Sequence, residues 1–353
     1  MTDPLEEAPQ RSGIEIRQLY KIFGPRPGRF IDKVKAGMTK EELNDRHNHV
    51  LGLQDINLSL PPGEISVIMG LSGSGKSTLI RHINGLIAPT AGEVLYEGRD
   101  VVAMGPRALR EFRRTKTAMV FQKFALLPHR TVLENTLYGL DIRGVARDQA
   151  EPVARAWIDR VGLSGFEENY PNQLSGGMQQ RVGLARALAN DADILLMDEA
   201  FSALDPLIRM DMQKVLLELQ KELQKTIVFI THDLDEALRL GDSIAILRDG
   251  KLEQVGSGQD IVLRPANAYI AEFVREVNRG RVIRAGRLAR PLAPGEALPE
   301  LRVDGYLVLE KVARQMAAAG AAEATVLDRK GAPAGVIDSE AILNAMVTPA
   351  DAP

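Results

Sequence analysis

The stretch "GLSGSGKST" sets Gly70, Gly75, Lys76 and Ser77 at the spacing G-x-x-x-x-G-K-S. Gly70, Gly73 and Gly75 let the backbone curl tightly and aim successive N–H groups at a polyphosphate. Ser72, Ser74 and Thr78 belong to the same loop. Lys76 supplies a point charge for terminal phosphates, and the Ser77 hydroxyl is a ligand for Mg2+. Such a loop needs a buried strand before it and a helix after it. The apolar run "ISVIM" precedes it and "STLIRHINGL" follows with helical spacing, adding the positive end of its dipole. The implied chemistry is nucleotide binding.

Two carboxylates extend that chemistry. "DILLMDEA" ends an apolar run with Asp198 and Glu199. At the C-terminal edge of a parallel sheet, where ligands bind in α/β proteins, adjacent side chains point apart and can hold different roles. Asp198 is placed to hold Mg2+ and its waters; Glu199 is placed to orient or deprotonate an attacking water. His232, in "VFITHDLDEA", follows another apolar run and falls at the same edge, in reach of a γ-phosphate. Gln122, in "MVFQKFALLPH", also follows a strand pattern, so its amide can touch metal or water there. A second anion-binding feature stands apart: "PNQLSGGMQQR" places Ser175, Gly176 and Gly177 at the start of a helix.

The elements that must position these residues follow from the hydrophobic pattern. Apolar strand runs alternate with helical segments, which predicts an α/β chain with a mostly parallel sheet. Ile208, Met212, Val215, Leu216, Leu219 and Leu223 share one helical face, a stripe that reads as core. A helical block lies between the two α/β stretches. The charged segment 24–50 contains "TKEE", with the spacing of a capping box, and reads as a short helical insertion. From residue 279 the chain turns rich in Pro, Gly, Ala and Arg. Beyond it a helix-strand-turn-strand-helix pattern closes the sequence.

Bulk composition narrows the class. The 353 residues carry a net charge of −3 with both signs mixed, so no nucleic-acid footprint is expected. There are no cysteines, which excludes disulfides and thiolate metal sites. The polar, acidic start does not read as a secretory signal, and no apolar run reaches the ~20 residues of a membrane span.

Taken together and in this order, the motifs resemble the nucleotide-binding subunit of an ATP-binding cassette (ABC) transporter. "GLSGSGKST" resembles the phosphate loop, Gln122 the Q-loop, "LSGGMQQR" the signature, and "ILLMDE" the magnesium strand with its catalytic Glu. "SALD", with Asp205, resembles the D-loop, and His232 the switch histidine. The resemblance implies ATP and Mg2+ as cofactors, with Gln122 also near the metal. It implies a head-to-tail pair of cassettes, in which Ser175, Gly176 and Gly177 of one copy close over ATP held by the other. Phe23 occupies the family's adenine-stacking place, with Tyr20 a weaker candidate.

The implied fold is a P-loop NTPase cassette with a mixed, mostly parallel core sheet, an antiparallel β part and an inserted helical subdomain. Its expected limits are residues 14–278, with the helical subdomain at about 123–175. Residues 1–13 are expected to be disordered, 279–302 a linker, and 303–353 a small α+β unit. That unit resembles one cystathionine-beta-synthase-type (CBS) repeat. It has Asp338 and Ala341 where the repeat often has a Thr and an Asp for ribose, so a dimerisation or regulatory role is expected sooner than a nucleotide site, with a non-essential appendage as the alternative.

Within ABC proteins, "IRQLYKIFG", the insertion, "MGLSGSGKSTLIRHINGLI" and "MVFQKFALLPHRTVLENTLYGL" resemble bacterial importers of glycine betaine, proline betaine and choline. This implies an ATPase at the cytoplasmic face of the membrane, held there by permease subunits that a solute-binding protein feeds. The segment "KFALLPHRT" is expected to seat a helix of the permease. Histidine or proline import is the alternative cargo. A soluble, non-transport ABC ATPase is the alternative class.

Overall fold

A computed structural model describes residues 13–293 and 296–347 of the chain. The expected disordered start falls, for residues 1–12, outside the described residues. The chain divides into two compact units, Met1–Glu253 and Gln254–Pro353.

Two sheets build the first unit. Strands Val50–Leu60, Ile14–Phe23, Ala91–Tyr96 and Arg99–Asp100 form a four-stranded sheet in that order. Their pairings are antiparallel. The core sheet runs Lys251–Gly256, Ser243–Arg248, Ile65–Met69, Thr226–Thr231, Ile194–Asp198, Thr117–Phe121. Ser243–Arg248 to Thr117–Phe121 pair in parallel. Ile65–Met69, Ile194–Asp198 and Thr226–Thr231 are buried at every residue, as their unbroken apolar runs require. A shared core joins the sheets: Ile14, Ile16, Leu58 and Val94 from one pack with Ile68, Leu196 and Val228 from the other.

The helical block holds Val132–Arg143 and Arg147–Arg160. Thr131 starts the first with a complete capping box to Glu134. Both helices pack against Gly176–Ala189, the helix that begins at the Ser175 corner. The 24–50 insertion is helical as its spacing predicts. Thr39 caps Lys40–His47 with both capping-box bonds to Glu42, and Leu43 anchors it beside Tyr20, Ile22 and Leu51.

The second unit has its own core. Strands Arg302–Asp304, Glu323–Leu327 and Pro333–Asp338 form a sheet against helices Leu309–Ala319 and Ser339–Val347. The segment expected to be a linker, 279–302, contributes to this core. Ile283 and Ala285 are fully buried among Leu309, Val312 and Ala324. Arg284 bridges Val308, and Arg290 bridges Val336. Three apolar residues close together, Ile283, Ala285 and Leu288, outweigh the Pro- and Arg-rich composition around them.

Candidate functional site

Strand register brings the candidate residues together. Met69 lies opposite Thr231, and Asp198 lies opposite both Phe121 and Ile230. Gly70, Gln122, Glu199 and His232 each stand at the end of one of these four aligned strands. One edge of the sheet thus collects the loop, an amide, a carboxylate and an imidazole.

The phosphate loop is closed by glycines. Gly70 has φ +149°, and a Cβ there would sit 2.1 Å from the Leu247 carbonyl oxygen. Gly75 has φ +104°, with a would-be Cβ 2.8 Å from the Gly52 oxygen. Side chains are excluded at both positions by space and by conformation. Gly73 differs from both. Its φ of +81° calls for glycine, yet a Cβ there would meet no atom within 4 Å. Ser72 and Gly73 are instead the exposed tip of the loop, so at Gly73 the turn, and not crowding, sets the residue.

Gly75 also begins helix Lys76–Ile83 without a side-chain cap, which leaves the helix's first N–H groups to an anion. Lys76 is buried, and its Nζ donates to the Gly70 and Leu71 oxygens at 2.8 and 3.0 Å. Burial lowers its pKa, while Glu199 and Asp198 pull it back up. Among the described residues, the buried Ser74 Oγ finds no hydrogen-bond partner.

The acids divide as their positions suggest. Asp198 is buried, and the Ser77 hydroxyl donates to its Oδ1 at 2.9 Å. Burial raises the Asp198 pKa, against the Ser77 bond and the charges of Arg81 and Lys76. A buried carboxylate beside a hydroxyl is a hard oxygen pair suited to Mg2+.

Glu199 leaves the strand with φ +46°, a left-handed turn that costs a non-glycine residue roughly 1–2 kcal/mol. Its N–H still donates to the Ile230 oxygen at 3.1 Å. The turn presents its carboxylate to three groups. Gln122 Nε2 donates to Oε2 at 3.0 Å, His232 Nδ1 lies 3.7 Å from the same oxygen, and Lys76 Nζ lies 4.0 Å from Oε1. His232 is open to solvent on its outer side, with its side chain 56% exposed.

Comparison with known proteins gives the family. Residues 53–202 match the family described as ABC transporter. The Bacillus subtilis glycine betaine transport ATP-binding protein OpuAA is 52% identical over 78% of this chain and 66% of its own length. The chain thus spans slightly less than two thirds of that relative. ProV of Escherichia coli, a glycine betaine/proline betaine transport system ATP-binding protein, is 52% identical over 78% and 69%. TmoW of Ruegeria pomeroyi, a trimethylamine N-oxide transport system ATP-binding protein, is 43% identical over 95% and 97%. The chain belongs to the ABC transporter ATP-binding family.

Solved structures agree on the fold. A dimeric bacterial ABC transporter cassette matches with TM-score 0.59 at 33% identity, covering 69% of this chain and 98% of that one. A dimeric post-hydrolysis state of the same cassette, bound to ADP and Pi, matches with TM-score 0.59 at 32% identity, with the same coverage.

The cassette places its remaining candidates in two further settings. Phe23 ends its strand 39% exposed, with its ring against Gly52 and the Lys21 ammonium 5.0 Å from its centroid. A Cβ on Gly52 would come 2.7 Å from the ring. Gly52 also abuts Gly75, so one glycine links the aromatic to the phosphate loop. Tyr20, the weaker candidate, is a buried core residue. Ser175 caps helix Gly176–Ala189, its Oγ accepting from the Met178 N–H at 3.3 Å. A Cβ on Gly177 would sit 2.5 Å from Ile208 Cγ2, so the glycine makes room for the neighbouring helix. Asp205 caps that helix, Pro206–Leu223, by accepting from the Ile208 N–H at 3.1 Å. Ser175, Gly176 and Gly177 thus border Met178, Phe124 and Ile208.

Sequence reading gave Ser202 no role beyond opening the "SALD" motif. Its hydroxyl donates to the Glu199 carbonyl at 2.9 Å and accepts from Gln122 Nε2 at 3.2 Å, fixing both partners. Its position three residues after Glu199, where a turn can bring it back, was the available signal.

Proposed function

We propose that this chain is the ATP-hydrolysing subunit of an importer for small betaine-like amines. The observation that carries the reading is the convergence of Lys76, Gln122 and His232 on Glu199, beside the Ser77–Asp198 pair. The loop amides from Gly70 through Gly73 to Ser77, together with the Lys76 ammonium, hold the triphosphate. Ser77 and Asp198 hold Mg2+, which would neutralise charge on the transferring phosphate. Glu199 polarises or deprotonates the attacking water, while Gln122 and His232 contact the γ-phosphate end. Phe23 supports the adenine.

Reaction centres in this reading are shared. The Ser175 corner offers a helix N-terminus and two glycine N–H groups, with its own hydroxyl turned inward as a cap. A second copy, head to tail, brings that corner to the triphosphate. The dimeric form of the similar cassette supports this. ATP acts as glue between copies, hydrolysis removes it, and a permease converts the opening and closing into transport. No described helix is long and apolar enough to cross a membrane, so spanning falls to that permease, with this chain at its cytoplasmic face. The 303–353 unit serves dimerisation or regulation in the manner of a CBS-like repeat.

The cargo reading is supported by the names of the relatives, which share small zwitterions with a fully substituted nitrogen. Trimethylamine N-oxide is a second specific reading. The match to TmoW spans 97% of that relative, against 66% and 69% for the two betaine proteins. The test is reconstitution of this chain with its permease and solute-binding protein in vesicles. ATP-driven uptake of glycine betaine or trimethylamine N-oxide is expected; uptake of histidine or proline instead would overturn the assignment. ATPase activity with no uptake of any of these four, nor of choline or proline betaine, would favour the non-transport class.

A further inference from the structure

Arg186 joins two parts of the chain that the proposed dimer assigns to different reaction centres. It lies on helix Gly176–Ala189, which starts at the Ser175 corner. Its Nη1 donates to the Ala125 carbonyl at 2.7 Å and its Nη2 to the Phe124 carbonyl at 3.1 Å. Phe124 and Ala125 have φ +56° and +48°, two consecutive left-handed residues without a glycine. L-residues avoid that conformation, so a stretch of two needs external restraint. A planar fork with parallel N–H groups supplies it, and an ammonium cannot. Burial lowers the Arg186 pKa, yet the guanidinium remains charged.

The same helix lies alongside the strained pair. A Cβ on Gly183 would stand 3.7 Å from the Phe124 oxygen, and one on Gly176 would stand 3.7 Å from Phe124 Cζ. On its far side the segment is held by Asn135, which accepts from the Leu127 N–H at 2.8 Å and donates to the Leu127 oxygen at 3.1 Å. Two residues before Phe124, Gln122 reaches Glu199. A path thus runs from the Ser175 corner along its helix to Arg186, through two hydrogen bonds to the strained pair, and back along the chain to Gln122 and its bond to Glu199.

We propose that Arg186 is a positioning residue that couples the two reaction centres of the dimer. The inference rests on the shared-site reading above. One copy's Ser175 corner closes on its partner's triphosphate, while its Glu199 acts on its own. Seating the corner therefore fixes, through the Arg186 fork, where Gln122 holds Glu199. Hydrolysis at one site becomes dependent on occupancy of the other.

The test measures ATP hydrolysis by the full chain against ATP concentration, together with affinity for a fluorescent ATP analogue. The wild type is expected to show a Hill coefficient above one. Arg186→Gln should bring it to one and lower saturating turnover by roughly 2- to 30-fold, the scale of a lost coupling contact. Analogue affinity should change less than about twofold, because Arg186 lies outside the phosphate cradle. Arg186→Lys keeps the charge without the fork and should fall between the two.

A wild-type Hill coefficient of one, or an unchanged coefficient in folded Arg186→Gln, overturns the inference. If the glutamine variant does not fold, the lysine variant decides by the same readout. Loss of fold in both makes Arg186 structural and also overturns it. Light scattering of Glu199→Gln with ATP separates the two ideas. No dimer there removes the shared-site reading. A dimer with an unchanged Hill coefficient in the Arg186 variants removes only the coupling role.

Discussion

The two anion-binding regions of this cassette are built in opposite ways. At the cradle, Gly70 and Gly75 hold conformations closed to other residues, Lys76 is buried against loop carbonyls, and Ser77 is bonded to Asp198. Its geometry is fixed by contacts within one chain. At the Ser175 corner, one hydroxyl caps one N–H and two glycines open a helix. In the proposed reading the first region organises phosphates in advance, and the second offers donors to a triphosphate from outside. In the proposed head-to-tail pair, each copy's corner would complete the other copy's cradle.

That contrast can be broken at the cradle first. Glu199→Gln keeps the size and loses the charge, and turnover should fall about 10²–10⁴-fold, the scale of a lost general base. Steady-state phosphate release at saturating ATP reads it; full turnover would remove Glu199 from the role of base.

The next effect concerns the helix behind the loop. His82 is fully buried, bonded through Nδ1 to the Thr78 oxygen at 2.7 Å, and burial pushes its pKa down to about 4. The unfolded chain takes up this proton near pH 6.5, whereas the fold resists it until about pH 4. Its contribution is complete above pH 6.5 and is lost as pH falls toward 4, by roughly 3 kcal/mol. Urea unfolding at pH 7 and pH 4.5 should show a smaller drop for His82→Gln than for wild type. Parallel drops would mean that His82 is protonated in the fold.

Lys76→Ala removes the buried charge from the phosphates. ATP affinity should weaken about 10- to 100-fold, the scale of a charge-assisted hydrogen bond. Equilibrium binding of labelled ATP checks this, and retained affinity would contradict the cradle.

The smallest intrinsic effect belongs to the corner. Ser175→Ala should cost about 1 kcal/mol of unfolding stability, as a lost helix cap does. Intrinsic nucleotide affinity at the cradle should stay unchanged when measured on the monomer. A large affinity loss in the monomer would place Ser175 in its own chain's cradle and end the contrast.

Local chemistry made the cradle and strand ends legible in the sequence. Gly70, Lys76 and Ser77 sit in one motif, and Asp198, Glu199 and His232 follow apolar runs that can only be buried strands. The motif does not distinguish its glycines, however. Crowding by Leu247 and Gly52 singles out Gly70 and Gly75, while Gly73 stands in open space, and only the folded loop separates the two cases. The capping box at Thr39 was readable because its two bonds span three residues. What escaped reading depends on contacts distant along the chain. Gly52 links Phe23 to Gly75 only once two strands have paired. Arg186 meets Phe124 and Ala125 from some sixty residues away. The burial of Ile283 and Ala285 within 279–302 is concealed by the Pro- and Gly-rich composition around them.

The most direct test of the shared reaction centre is ATPase rate per chain across a dilution series of the purified protein, with mass followed by light scattering. The account predicts that the rate per chain collapses as the species at twice 38.6 kDa gives way to the single chain. A rate per chain that stays constant in a fully monomeric solution would contradict it.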